Sequence, residues 1–255
     1  MTLVLSPLST LPLIQPGDDL GEILLAALVQ EDITLQEGDV LVLAQKIVSK
    51  AEGRLFNLTE VNPGPQAIEL AQKTEKDARL VELMLRESRK VLRSRKGTII
   101  VEHKLGFVCA NAGIDHSNVE GSWGDSEDWV LLLPEDPDAS AARIRAKLEA
   151  AAGVRLGVVI IDSHGRAWRL GTVGVTIGLS GVPGLVDLRG EPDMFGYRLR
   201  ITQVGAVDEL AAAASLMMGQ AAERRPAVHV RGFPYPLREG SLRELIRPEE
   251  MDLFR

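Results

Sequence analysis

The chain of 255 residues contains one cysteine, Cys109, and four histidines. A single cysteine excludes an intramolecular disulfide and leaves no cluster of thiolate ligands for a structural zinc ion. Cys109 stands in an apolar stretch, so we expect its side chain to be buried in the core. Because cysteine is so scarce and no disulfide can form, we expect a cytoplasmic location.

The sequence also lacks the features of nucleic-acid-binding and membrane proteins. The net charge is −7, with 29 basic against 36 acidic residues, so a general nucleic-acid surface is not expected. No apolar run reaches the roughly 18 residues that cross a membrane. The apolar N-terminus has no basic start and is broken by prolines, unlike a signal peptide. We therefore expect small-molecule partners, with no nucleic acid and no membrane.

The hydrophobic pattern predicts an α+β fold, because strand-like and helical segments are mixed without regular alternation. The apolar runs 40–44 and 158–161 indicate strands that are buried on both faces. Further strands are expected at 98–101, 105–110, 129–134, 197–202 and 227–230. Helices are expected from a cap at Asp18, over 66–95, from a cap at Asp138 to Gly153, and over 207–218 and 242–246. No repeat or linker divides the chain, which predicts a single domain over 1–255.

The second half of the expected helix 66–95 is rich in cations: Arg86, Arg89, Lys90, Arg93, Arg95 and Lys96. Cations near a helix C-terminus are favoured by the helix dipole, so this cluster requires no ligand. The alternative is that it contacts an anionic substrate. Lys46, Lys50 and Arg54 leave the same choice open, between solvated surface charges and a phosphate clamp that follows a buried strand.

Two short polar clusters carry the chemistry that the residues permit. The first is Asn-Ala-Gly-Ile-Asp-His-Ser-Asn at 111–118, and the second is Asp-Ser-His-Gly-Arg at 162–166. We expect Asp162 at the C-terminal end of strand 158–161, where sheet proteins commonly hold catalytic carboxylates. Asp115 and Asp162, helped by Ser163 and Gln220, form a hard oxygen set suited to Mg²⁺ or Mn²⁺.

Other chemistries fit the residues less well. Ser163 and His164 are neighbours on a strand and point to opposite faces, which makes them a poor nucleophile and base. The glycine-rich stretch 171–190 matches neither the dinucleotide fingerprint nor the Walker A pattern. A lone aspartate in a glycine-rich turn is more often a turn residue than a ligand. The residues by themselves therefore indicate only an enzyme that handles metal and phosphate.

Several motifs in a fixed order carry a resemblance over nearly the whole chain. Besides 111–118 and 162–166, they are Leu-Pro-Leu-Ile at 11–14, Ser-Lys-Ala-Glu-Gly-Arg at 49–54, Glu-Ser-Arg-Lys-Val-Leu-Arg at 87–93, Gly-Leu-Ser-Gly at 178–181, Met-Gly-Gln-Ala-Ala-Glu at 218–223 and Leu-Ile-Arg-Pro at 245–248. Together they resemble the coenzyme F420-0:L-glutamate ligase (F420 γ-glutamyl ligase) family. Some relatives carry a flavin-binding nitroreductase-like domain, and we expect none in this chain.

The resemblance implies a mixed, largely antiparallel α+β fold of two interlocked subdomains, and a homodimer. It implies GTP as co-substrate and two divalent ions, Mn²⁺ or Mg²⁺, with K⁺ as a further candidate. Asp115 and Asp162 would bind the first metal, Ser163 and Gln220 the second, and Lys50 would join the two aspartates in catalysis. The expected GTP-binding residues are Leu11, Pro12, Leu13, Ile14, Gln45, Lys46, Lys50, Asn118, Met218, Gly219, Gln220, Ala221, Ala222 and Glu223.

The implied reaction adds L-glutamate, and then further γ-linked glutamates, to coenzyme F420-0 through an acyl phosphate, with release of GDP and phosphate. Three alternatives remain open from the sequence. A ligase of the same fold could act on another carboxylate. A metal-dependent phosphohydrolase would use similar oxygen ligands without an acceptor amine. A nucleotide-binding regulatory subunit would bind GTP without turning over the acceptor.

Overall fold

A computed structural model of the chain describes residues 2–119, 121 and 123–253. Its strands are β1 (Val4–Leu8), β2 (Val40–Ala44), β3 (Leu55–Asn57), β4 (Ser88–Arg95), β5 (Thr98–His103), β6 (Val108–Ala110), β7 (Trp129–Leu131), β8 (Gly157–Arg166), β9 (Arg169–Ser180), β10 (Val186–Asp187), β11 (Gln203–Val204) and β12 (Ala227–Arg231). Its helices are α1 (Leu20–Gln30), α2 (Gln45–Ala51), α3 (Pro65–Thr74), α4 (Ala78–Arg86), α5 (Pro137–Ala152) and α6 (Ala206–Met218). The predicted α+β class is confirmed. The single domain and the two interlocked subdomains stay predictions.

The central sheet has the strand order β1-β12-β2-β8-β9. Strands β2 and β8 run parallel, and the other neighbours in this sheet run antiparallel. Leu41 and Leu43 pack with α1 and α5 on one face, while Val40 and Val42 pack with α6 on the other. A strand covered on both faces needs apolar residues at every position, which explains the uninterrupted run 40–44. That strand prediction is confirmed.

A smaller sheet has the order β4-β5-β6, and α3 and α4 cover one of its faces. Ile99 and Val101 of β5 and Cys109 of β6 face these helices and are buried. The predicted burial of Cys109 is therefore confirmed. Two further pairs, β3 with β7 and β10 with β11, complete the described strands.

The predicted helix over 66–95 is wrong. Helix α3 ends where Glu75 turns left-handed at φ 53°, and Asp77 starts α4 by accepting a hydrogen bond from the Arg79 amide. Residues 88–95 form strand β4, which pairs with β5 across a turn at Gly97. Of the cation-rich stretch, Arg89, Lys90, Arg93 and Arg95 therefore lie on a strand, while Arg86 ends α4 and Lys96 lies in the turn after β4. The β4 residues look helical in sequence because two register shifts break the alternation expected of a strand.

The two predicted helix caps are each displaced. Asp19, rather than Asp18, caps α1 by accepting from the Glu22 amide. Asp136, rather than Asp138, caps α5, and Pro137 fills the first helical position. The Asp138 carboxylate accepts instead from the amides of Leu179 and Leu242, so it joins α5 to β9 and to the C-terminal segment. Gly153 ends α5 as predicted, at φ 69°.

Strand β8 is longer than the sequence predicts, because it continues as a hairpin with β9. Asp162 consequently lies inside the strand and not at its C-terminal end. The predicted strand over 197–202 is absent from the described structure, where residues 186–187 and 203–204 pair instead. The predicted helix 242–246 is a single 3-10 turn over Leu242–Glu244. In the part of the chain that the structure describes, no helix has the length and apolar character to cross a membrane.

Candidate active site

Helix α2 follows directly from the buried strand β2 and presents two lysines one turn apart. Lys46 Nζ donates to the backbone oxygen of Ser117 at 3.0 Å, and Lys50 Nζ donates to that of Asn118 at 2.8 Å. Residues four apart lie on the same face of a helix, so both lysines reach the same segment. The segment 111–118, hereafter the anchor loop, is thereby held against α2.

The anchor loop begins with three consecutive left-handed residues. Asn111, Ala112 and Gly113 have φ values of 52°, 54° and 65°. Ala112 is fully buried, and the Asn111 side chain accepts from the Ile99 amide at 3.1 Å. A non-glycine residue in this region costs roughly 1–2 kcal/mol, so packing and hydrogen bonds must hold the turn in place. The strained turn directs the following residues towards α2.

Asp115 is the central residue of the anchor loop. Its Oδ2 accepts from Gln45 Nε2 at 2.7 Å and lies 2.8 Å from Lys46 Nζ. Ser49 orients Gln45 by donating to its Oε1 at 2.8 Å. Burial raises the pKa of Asp115, Lys46 opposes this, and the negative charge of Asp162 raises the pKa further. Asp115 and Asp162 therefore share one electrostatic environment, in which a bound cation would be stabilised.

Asp162 reaches this environment from β8. Strands β2 and β8 pair in parallel, with Ala44 opposite Ile161. The next residues, Gln45 at the start of α2 and Asp162 in β8, therefore lie side by side at the same height along the two strands. His164 Nε2 lies 3.0 Å from Asp162 Oδ2. The two side chains share a face because they are two positions apart on a strand. Packing against Phe107, at 5.2 Å between ring centroids, supports the His164 ring.

Ser163 points to the opposite face of β8, towards the C-terminal end of α6. Its Oγ donates to Gln220 Oε1 at 2.9 Å, and Gln220 Nε2 donates to Ser215 Oγ at 3.0 Å. The helix ends at Gly219, which has a φ of 75°. The four predicted metal ligands thus form two groups, Asp115 with Asp162 and Ser163 with Gln220.

The turn after α6 also contacts the anchor loop. Asn118 Nδ2 donates to the Ala221 carbonyl at 3.2 Å, and Glu223 accepts from the Ala221 amide at 2.8 Å. The Met218 side chain is buried in the core under α6, and Ala222 is exposed. Of the predicted GTP-binding residues, the structure therefore brings Lys46, Lys50 and Asn118 together with the 218–223 turn.

Residues 11–14 approach the other end of α2. The Gly17 amide donates to the Ala51 carbonyl at 2.8 Å, which fixes this extended segment beside the helix. Ile14 is buried in the core and Leu13 is 72% exposed. Leu11 packs partly against the core, so the exposed Pro12 and Leu13 are the parts of this segment that can contact a ligand.

The oxygen donors fit a hard divalent ion whose remaining ligands are water or phosphate oxygens. Among the residues that the structure describes, no three His, Cys, Asp or Glu side chains converge as a metal site. Asp115 and Asp162 supply two carboxylates, and Ser163 and Gln220 supply a hydroxyl and an amide oxygen. Mg²⁺ is commonly bound by one or two carboxylates together with substrate phosphates, which matches this incomplete set.

Three site residues were missed from the sequence. They are Ser49, which orients Gln45, Ser117, which bonds Lys46, and His164, which bonds Asp162. As an immediate neighbour of Ser163 on a strand, His164 is not placed to act as its base. The two-residue spacing from Asp162 along a strand would have identified it as a partner of that carboxylate.

Comparison with known proteins gives one consistent result. The family model described as F420-0:gamma-glutamyl ligase matches residues 9–232. A coenzyme F420:L-glutamate ligase of Methanothermobacter thermautotrophicus is 45% identical over 247 residues, which cover 96% of both chains. One from Methanopyrus kandleri is 46% identical over 258 residues, covering 100% of this chain and 98% of the relative. One from Methanocaldococcus jannaschii is 42% identical over 245 residues, covering 96% and 94%.

Proposed function

Because the chain belongs to the F420-0:gamma-glutamyl ligase family, we propose that it joins L-glutamate to coenzyme F420-0 in a GTP-dependent reaction. The observation that carries the proposal is the arrangement around helix α2, where Lys46 lies 2.8 Å from the Asp115 carboxylate and Lys50 contacts Asn118. Asp162 lies on the adjacent strand β8 at the level where α2 leaves β2, and its charge raises the pKa of Asp115. Carboxylates that can hold a divalent ion beside lysines that can contact phosphates form a site suited to phosphoryl transfer.

The proposed reaction has two steps. An oxygen of the terminal carboxylate of F420-0 attacks the γ-phosphorus of GTP, the bond to the β-phosphate oxygen breaks, and GDP leaves. The α-amino nitrogen of glutamate then attacks the carbonyl carbon of the acyl phosphate, inorganic phosphate leaves, and the nitrogen loses a proton. The new terminus can react again through its γ-carboxylate, which builds a γ-linked tail.

The chain's own residues position these groups. Asp115 and Asp162 would hold one divalent ion, and Ser163 and Gln220 a second, with Mn²⁺ or Mg²⁺ as the fitting metals. Such ions, when bound, neutralise the charge that keeps two anions apart. Lys46 and Lys50 would contact the phosphates from α2. The GTP would lie between residues 11–14, α2, Asn118 and the 218–223 turn.

We include a homodimer in the proposal. Large apolar side chains are exposed at the β8–β9 hairpin and in the loop before β11: Trp168 (89%), Leu170 (98%), Met194 (88%), Phe195 (86%) and Ile201 (87%). Exposed apolar groups in such number are typical of surfaces that another chain covers. Light scattering on the purified protein tests this, and a monomeric mass at micromolar concentration would reject it.

One assay separates the proposed function from its alternatives. Purified protein is incubated with F420-0, GTP, glutamate and Mn²⁺, and the products are followed by mass spectrometry. Successive glutamyl additions, with GDP release that requires both F420-0 and glutamate, are expected. Rapid GTP hydrolysis with neither substrate would identify a phosphohydrolase. GTP binding by folded protein, with neither GTP hydrolysis nor glutamyl product, would identify a regulatory subunit.

A further inference from the structure

Strand β4 carries a row of cations on one face, in a protein whose net charge is −7. Register shifts lie between Ser88 and Lys90 and between Val91 and Arg93. Each shift changes which residues of β4 point to a given face of the sheet. As a result, three of the four exposed cations of β4 pair with the partly buried residues of β5: Lys90 with Glu102, Arg93 with Ile100 and Arg95 with Thr98. The fourth, Arg89, lies 3.6 Å from the Glu102 carboxylate. Without the bulges, Lys90 and Arg93 would point to opposite faces. We call Lys90, Arg93 and Arg95 the basic edge.

The basic edge is aligned with the start of the anchor loop. Arg93 pairs with Ile100, and Ile100 pairs with Ala110, the residue that precedes Asn111. Two interstrand spacings separate β4 from β6, which is roughly 10 Å. An ordinary residue spans about 3.4 Å when extended, and a γ-linked glutamate is longer by two backbone carbons. A tail of three glutamates could therefore extend from the anchor loop to the basic edge.

A carboxylate of the chain itself already contacts the basic edge. Glu249 Oε1 lies 3.5 Å from Lys90 Nζ. A cavity of about 390 Å³ separates the C-terminal segment from β4, and it is lined by Lys90, Val91, Leu92, Arg93, Glu249 and Asp252. Successive side chains of a strand point to opposite faces, so four consecutive residues can line one cavity only along the open edge of the strand. In the described structure β4 is the edge strand of its sheet. The cavity is thus bounded by cations on one side and carboxylates on the other.

We infer that the basic edge binds the γ-glutamyl tail of the growing product, in competition with the carboxylates of Glu249 and Asp252. This inference rests on the proposed function. The ligand chemistry is a flexible chain with carboxylates at regular intervals, which several separated cations recognise better than a single charge does. The unextended acceptor has no such tail, so the basic edge acts on the second and later additions.

The acceptor contains a second anion, its phosphodiester, and the experiment distinguishes it from the tail. The double variant Lys90→Gln/Arg93→Gln is assayed with F420-0 and with its mono- and diglutamyl products as acceptors. We expect kcat/KM for the first addition to remain within about twofold of wild type. The KM for the diglutamyl acceptor should rise about tenfold, as expected for two lost charge contacts. A rise in KM that is equal for all acceptors would assign the edge to the phosphodiester and overturn the inference.

Removing the internal competitor should have the opposite effect. In Glu249→Gln/Asp252→Asn, the KM for the diglutamyl acceptor is expected to fall two- to threefold, with the first addition unchanged. Lys73→Gln, an exposed cation on α3, is the matched control and should change neither value. An unchanged or higher KM for the diglutamyl acceptor in the acidic-segment variant would contradict the competition.

A binding measurement makes the inference independent of turnover. In calorimetric titration with γ-linked triglutamate, the dissociation constant of Lys90→Gln/Arg93→Gln should be about tenfold larger than that of wild type. The difference in affinity should shrink with added salt. Equal affinity would reject the basic edge even if ligation is observed. Absence of glutamyl addition by wild type, with triglutamate binding intact, would instead reject the proposed function alone. Thermal melts check that each variant folds.

Discussion

The ammonium group of Lys46 lies 2.8 Å from the carboxylate of Asp115, and the same ammonium lies 3.0 Å from the carbonyl of Ser117. In this arrangement the lysine neutralises a carboxylate that burial and Asp162 would otherwise tend to protonate. A divalent ion bound by Asp115 would take over that neutralisation. Lys46 could then turn towards a phosphate, so one side chain can pair first with the carboxylate and then with the substrate.

Asp115→Asn is expected to abolish glutamyl addition, with a loss of at least a hundredfold in kcat, because an amide cannot replace a carboxylate ligand. The fold should persist, since the asparagine oxygen can still accept from Gln45 and Lys46. Product is measured by mass spectrometry and folding by circular dichroism. Ser117→Ala, in the same loop, is the control and should lose less than tenfold. Wild-type activity in Asp115→Asn would remove this residue from the site.

His164→Ala should weaken Mn²⁺ binding by about 10- to 100-fold, because the hydrogen bond that orients Asp162 is lost. His164→Gln retains an N–H donor and should recover part of that affinity. Mn²⁺ binding is measured by electron paramagnetic resonance without nucleotide, which separates positioning from turnover. Equal Mn²⁺ affinity in the alanine, glutamine and wild-type proteins would show that His164 does not position the carboxylate.

Gly113→Ala should destabilise the protein more than Gly153→Ala does, although both glycines have similar φ values of 65° and 69°. Both variants place an alanine in the left-handed region that glycine tolerates, which costs about 1 kcal/mol of folding free energy. A methyl at 113 would also lie 2.8 Å from Leu133 Cδ1, whereas one at 153 meets no atom within 4 Å. Overpacking adds roughly 1–3 kcal/mol. Denaturant titration measures both, and equal losses would contradict the close packing.

Asp39 should make folding sensitive to acid. Burial tends to raise its pKa, but hydrogen bonds from His229, Arg231 and the Gln36 amide together lower the pKa to about 2. The unfolded carboxyl titrates near 3.8. Since the folded pKa is depressed, the charged form stabilises the fold above about pH 4, and this contribution is lost as pH falls towards 2.

The charged Asp39 contributes on the order of 2 kcal/mol to the free energy of unfolding, because its pKa falls from 3.8 to about 2 on folding and each unit corresponds to about 1.4 kcal/mol. Asp39→Asn should therefore be less stable at pH 7, and its free energy of unfolding should decline less between pH 4 and pH 2. Urea titrations across this range provide the test. Parallel declines in the variant and wild type would show that other carboxyls determine acid sensitivity.

The central sheet was predictable where burial dictates sequence. The runs 40–44 and 158–161 are apolar at every position because helices cover both faces. Strand β4 was not predictable by periodicity, because its bulges give apolar residues a helical spacing and the pairing with β5 decides the outcome. The sequence alone marked Asp115, Asp162, Ser163 and Gln220 as candidate oxygen ligands, while their division between two metal ions came from the family resemblance. The Lys50–Asn118 contact joins segments far apart in sequence, which no local pattern encodes.

Strand β12 comes late in the chain and lies between β1 and β2, which come first. During translation the ribosome must therefore complete Arg231 before the N-terminal strands obtain their shared neighbour. Until then both strands expose unpaired edges, which are prone to associate with other chains. Such long-range pairing slows folding. A deletion that removes β12 should therefore release β1, whose neighbour in the described sheet is β12, and expose one edge of β2, which stays paired with β8 on its other side.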